Sequence, residues 1–167
     1  MSGSDLYDQD FIGWTEQQAR RLREAAARGV NLPLDWANLA EEIEDLGRNH
    51  AHAVKSHLAR IVEHLLKLEY SPAAPPRDGW IDSIDDARSE IELYLQDDPG
   101  LRPRLPGLLT RAAPTGTKRA ATALARHAES DAAARVRLAG PEHYTLDQVL
   151  DEDWLPARPD MPALTRA

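Results

Sequence analysis

The chain has 167 residues, enough for one ordinary domain with its own core. It contains no cysteine, which excludes disulfides, thiolate metal sites and cysteine nucleophiles and suits a reducing cytoplasm. A net charge of −8 argues against a dedicated nucleic-acid binder, and no apolar run approaches the roughly 20 residues of a membrane helix.

Alanine, leucine, arginine and glutamate are plentiful and β-branched residues sparse, so the composition predicts helix almost throughout. The first helix is expected from Asp10 to Arg28, with Phe11, Trp14, Gln18, Leu22 and Ala25 on its buried stripe. Gly29 stands where a glycine closes a helix, and Asn31 to Asp35 reads as a linker with Asp35 as the next N-cap. The dominant element is a long central helix from Asp35 to about Tyr70. Trp36, Leu39, Ile43, Leu46, His50, Val54, His57, Ile61, Leu65 and Leu68 follow a seven-residue rhythm along it. Gly47 lies beside this stripe and predicts either a close helix neighbour or a bend.

The segment Ser71 to Gly79 ends that helix. A third helix is expected to bury Trp80, Ile84, Ala87, Ile91 and Leu95 and to stop near Asp97. Asp98-Pro99 opens a fourth, which Pro106-Gly107 makes short or kinked and Pro114-Thr-Gly116 breaks. Helix resumes from Thr117 to about Ala139 and is closed by Gly140-Pro141. A short C-terminal helix follows, begun by a capping box of Thr145 and Gln148 and docked through Leu146, Val149, Leu150 and Trp154. The expected architecture is therefore all-α, a helical bundle around one long central helix. It forms a single domain over residues 1–156, with a mobile proline-rich tail over 157–167.

Familiar catalytic signatures are missing from the sequence. There is no nucleophile elbow, phosphate-binding glycine loop, dinucleotide fingerprint, His-Glu-x-x-His or Glu-x-x-His pair. His50, His57 and His64 recur every seven residues, ~10.5 Å apart along a helix, and cannot share one ion with ~2 Å bonds. They read as polar caps on a bundle core. A site could still form if Glu42 met His127 and Asp131, the last expected on an apolar face beside Leu124. No metal or cofactor is expected.

Charge is unevenly spread. Asp82, Asp85, Asp86, Glu90, Glu92 and Asp97 are accompanied only by Arg88. Then Arg102, Arg104, Arg111, Lys118, Arg119 and Arg126 follow with no acid among them. Complementary helical segments are the first reading, and a phosphate or nucleic-acid patch over 102–126 the weaker one. The acidic run Glu41-Glu42-Ile43-Glu44-Asp45 suits a helix N-terminus; Glu41 and Asp45 point outward, Glu42 and Glu44 flank the stripe.

Four blocks, taken in order, resemble one bacterial family. They are Tyr7-Asp-Gln-Asp-Phe11 with Trp14-Thr15, Asn38 to Arg48, His64-Leu-Leu-Lys67 with Tyr70 and Pro72, and Tyr144 to Trp154 with Pro156. The family is domain of unknown function 29. The resemblance spans Tyr7 to Pro156 and implies a helical, cytoplasmic protein with no activity to carry over. It departs from the family pattern between about Ala112 and Gly140. It singles out Trp14, Glu41, Glu42, Asp45, Arg48, His64 and Lys67 as candidate residues, without a catalytic assignment.

The functional expectation is a non-enzymatic, homodimeric protein-interaction module, with a further protein partner possible and no membrane partner. The alternative is a small metal-dependent or acid–base enzyme using Glu42 and His64.

Overall fold

The computed structural model describes residues 3–30 and 32–157. The expected tail lies, from residue 158 on, outside them. Among the described residues there is no strand, and the helices run α1 Gly3–Gln9, α2 Phe11–Ala27, α3 Trp36–Tyr70, α4 Arg77–Asp97, α5 Leu105–Arg126, α6 Ser130–Ala139 and α7 Leu146–Leu150. A 3-10 turn, Pro99–Arg104, joins α4 to α5. No helix is long and apolar enough to cross a membrane among the described residues. By its contacts the chain forms two compact units, Met1–Val54 with Leu93–Arg104, and Lys55–Glu92 with Leu105–Ala167.

In the first unit Asp10 caps α2, its carboxylate accepting from the Gly13 N–H at 2.9 Å. Gly29, at φ 68°, closes α2 as its position predicts. The buried face is displaced by one residue from the expected stripe: Ile12, Thr15 and Ala19 are buried, while Phe11, Trp14, Gln18, Leu22 and Ala25 are half-buried. Gly47 explains the shift. A Cβ there would collide with Thr15 Oγ1, so α3 approaches α2 through a glycine and favours small residues on the facing stripe. Of the two outcomes expected at Gly47, the close neighbour is the one found.

The same tight packing corrects the heptad reading of α3. Ala40 and Val54 are buried with Gly47, but Leu39 and Leu46 remain 39% and 51% exposed. The larger leucines lie beside the buried face, not within it.

The second unit holds the larger aliphatic core. Leu58, Ile61, Leu65, Leu66 and Leu68 of α3 are buried with Ile84, Ala87 and Ile91 of α4 and the Leu105, Leu108, Ala112, Ala120 and Leu124 row of α5. The break expected at Pro114-Thr-Gly116 does not occur; α5 runs through it. Pro114 forfeits one backbone hydrogen bond. The loss is offset where Gly116 lets α5 lie on α3: a Cβ at Gly116 would stand 2.6 Å from the Ala59 carbonyl and 2.9 Å from Val62. The helix instead ends at Arg126, where Ala128 adopts φ 62°, so the single helix expected over 117–139 is two. The capping box of Thr145 and Gln148 is present as expected.

Candidate functional site

The candidate residues fall into two groups. Glu41, Glu42, Asp45 and Arg48 belong to the first unit, and His64 and Lys67 to the second. Glu41 and Glu42 are exposed, and Asp45 is ion-paired with Arg48 on the helix surface. Glu44 accepts a hydrogen bond from Arg23 of α2 at 2.5 Å. That bond, together with the Arg23 charge, holds the Glu44 carboxyl below its ordinary range. Asp35 accepts from the Asn38 N–H at 3.2 Å, as the expected N-cap of α3. Asp35 thus caps the start of α3, and of the acidic run Glu44 is the residue paired with α2.

Glu42 and His64 lie 22 residues apart on α3, Glu42 in the first unit and His64 in the second. Glu42, His127 and Asp131 are all exposed, and Asp131 points off the buried face of α6, where Ala132, Ala133 and Val136 are the buried residues. Among the described residues no group of three potential ligands could hold a metal ion.

Around Phe11 the first unit gathers an aromatic cluster. Tyr7 packs edge-on against Phe11 and Trp14 at 5.5 and 4.8 Å, Phe11 meets His50 at 4.9 Å, and His50 meets Tyr94 at 5.8 Å. Asp98, 1% exposed, accepts from the Phe11 N–H at 3.0 Å and the Gly100 N–H at 3.1 Å. Arg104 lies 3.4 Å from Asp10 and 3.6 Å from Glu16. Trp14 therefore serves as a packing residue, and Arg104 is removed from the basic stretch by its carboxylate partners. Neither outcome follows from sequence spacing.

Lys67 is buried and bound to Glu63 at 2.5 Å, one helical turn away. Burial, with the Lys67 charge as a further cause, pushes the His64 imidazole down from 6.5 to about 4. His57 is lowered in the same direction, first by burial. These two histidines are neutral at physiological pH, in keeping with polar caps on a core.

Two anchors that sequence reasoning missed hold the C-terminal segment. Glu69, at the end of α3, accepts from Tyr144 Oη at 2.6 Å and lies 2.9 Å from His143 Nε2. A proton donor there suits the negative end of the α3 dipole. Burial and the Glu69 hydrogen bond raise the Tyr144 hydroxyl strongly, and burial with the Glu69 charge pushes Tyr70 up to about 12. Both phenols stay protonated donors, and Tyr144 anchors its segment to Glu69. Arg88, 4% exposed, supplies the second anchor. It donates to the carbonyls of Val149 at 3.0 Å, Trp154 at 3.1 Å, Gln148 at 3.2 Å and Glu152 at 3.4 Å. The one sequence signal was an isolated arginine within an acidic stretch.

Such an arrangement defines an all-helical protein, among its described residues, in which Asp98, Glu69 and Arg88 tie separate segments together. The chain belongs to the family described as Domain of unknown function DUF29, whose model matches residues 6–155. It is similar in structure to an alpha-helical protein of unknown function from Rhodospirillum rubrum. The two are 26% identical with a TM-score of 0.62, covering 89% of this chain and 90% of that one. No curated protein matches the chain.

Proposed function

We propose that the chain is a non-enzymatic interaction module that self-associates as a homodimer through the exposed apolar face at the start of α3. The observation carrying this reading is that Val30, Leu32, Leu34, Leu39 and Leu46 are each 39–54% exposed within one unit. Leu39 and Leu46 are seven residues apart, on one edge of α3, and the other three precede that helix in sequence. Isolated exposed leucines are ordinary, whereas a seven-residue pair extended by neighbouring apolar residues suits a helix-on-helix seam. A second copy is the favoured occupant because the unit carries both signs of exposed charge: Arg20, Arg21 and Arg28 on and just after α2, Glu41 and Glu42 on α3. A two-fold contact sets one patch against itself and needs both signs on it. A bacterial cytoplasmic setting, suggested by the family resemblance, belongs to the same proposal.

Light scattering coupled to size exclusion over a concentration series tests it. A dimer mass that persists into the low micromolar range supports the module. A monomer at high micromolar concentration removes it.

A further inference from the structure

The second unit carries a feature independent of the proposed dimer face. Helix α5 has no acidic residue, and Arg111, Thr115, Lys118, Arg119, Thr122 and Arg126 recur at three-to-four spacing, which places them on one face. Thr115, Lys118, Arg119, Thr122 and Arg126 wall a cavity of about 690 Å³. A second cavity of about 480 Å³ shares Pro114, Lys118 and Thr122 with the first and adds Arg137 of α6. The two hollows adjoin at Pro114, Lys118 and Thr122, giving a grooved surface bordered by four cations, Lys118, Arg119, Arg126 and Arg137. None of those cations has a carboxylate partner among the described residues. The one acid on the lining, Glu63, is already held by buried Lys67 at 2.5 Å. In a chain of net charge −8, this groove concentrates unpaired positive charge with hydroxyls between.

Chemistry narrows the occupant. Four separated cations along a groove match several linked anionic groups better than one, because each added phosphate finds its own donor. No aromatic side chain lines either cavity, so a nucleobase has nothing to stack on. The acidic remainder of the chain disfavours a long nucleic acid extending past the groove. We infer that the groove formed by Lys118, Arg119, Arg126 and Arg137 binds a short linear polyphosphate, contacting its phosphates and no base.

The test is isothermal titration of the full chain with inorganic tripolyphosphate at low and moderate salt. Orthophosphate and a single-stranded oligoribonucleotide serve as comparators. Binding should weaken as salt rises. Lys118→Gln/Arg119→Gln and Arg126→Gln/Arg137→Gln should each bind roughly tenfold or more weakly, as expected for lost charge-assisted contacts. Arg111→Gln, outside both cavities, should bind as the parent does. All these side chains are exposed, and an unchanged melting temperature will show that folding is preserved. The inference is overturned by no heat of binding at low salt, by variants that bind like the parent, by orthophosphate binding as tightly as tripolyphosphate, or by the oligoribonucleotide outcompeting it.

Discussion

Replacing Arg88 by methionine keeps most of the aliphatic bulk at a site 4% exposed and removes the donors to four carbonyls. Each hydrogen bond to a charged group contributes about 1.5–3 kcal/mol, but the four are not additive. Glu152 is exposed and Gln148 and Trp154 half-buried, so water replaces part of what is lost there. Val149 is fully buried, and its carbonyl accepts from Arg88 Nε. An orphaned buried acceptor costs about 1–3 kcal/mol, and with partial losses at the other three the expected destabilisation is about 3 kcal/mol. Arg88→Lys, which keeps the charge but not the planar fork, should cost roughly half of that. Urea unfolding followed by circular dichroism gives the magnitude. Hydrogen exchange gives the location: amides of residues 146–154 should exchange faster than the α3 core in the methionine variant. A loss below about 1 kcal/mol with unchanged exchange over 146–154 would refute the role given to Arg88.

Three further outcomes are expected. Gly116→Ala forces a Cβ to 2.6 Å from the Ala59 carbonyl and should cost about 1–3 kcal/mol in urea unfolding. Ala128→Gly relieves φ 62° and should stabilise by about 0.5–1 kcal/mol, the relief being partly cancelled by unfolded-chain entropy. Neutral His64 is lowered to about 4 in the fold, below its ordinary 6.5, so the unfolded chain takes up the proton first. Stability is therefore complete above pH 6.5 and falls as the pH drops toward 4. His64→Gln should flatten that part of the stability–pH curve, and an unchanged slope would mean that His64 is not its source.

The helix boundaries were legible wherever local chemistry sets them. Asp35 and Thr145 cap helices as their positions imply, Gly29 closes α2, and Asp10, expected as the first helical residue, is its cap, because each acts on backbone within four residues. Burial was less legible where glycine decides it. Gly47 and Gly116 draw helices so close that small residues become the core and leucines such as Leu39 and Leu46 are left outside. Proline-based reasoning broke α5 at Pro114, since one lost hydrogen bond weighs little against a whole packed face. The Arg88 and Glu69 anchors lie about 60 to 75 positions from their partners, beyond any local pattern. The candidate cluster separated because Glu41, Glu42, Asp45 and Arg48 belong to the first half of α3 and His64 and Lys67 to the second.

Self-association through α3 is tested most directly by one spin-labelled site. The chain has no native cysteine, so Asn49→Cys, exposed and three residues beyond Leu46, carries a nitroxide at the edge of the proposed seam. Packed helices lie about 8–10 Å apart, so dipolar spectroscopy should give a resolved intermolecular distance. That distance should vanish when Leu39→Gln/Leu46→Gln is added. A featureless background decay at high micromolar concentration, or a distance that survives the double substitution, would contradict it.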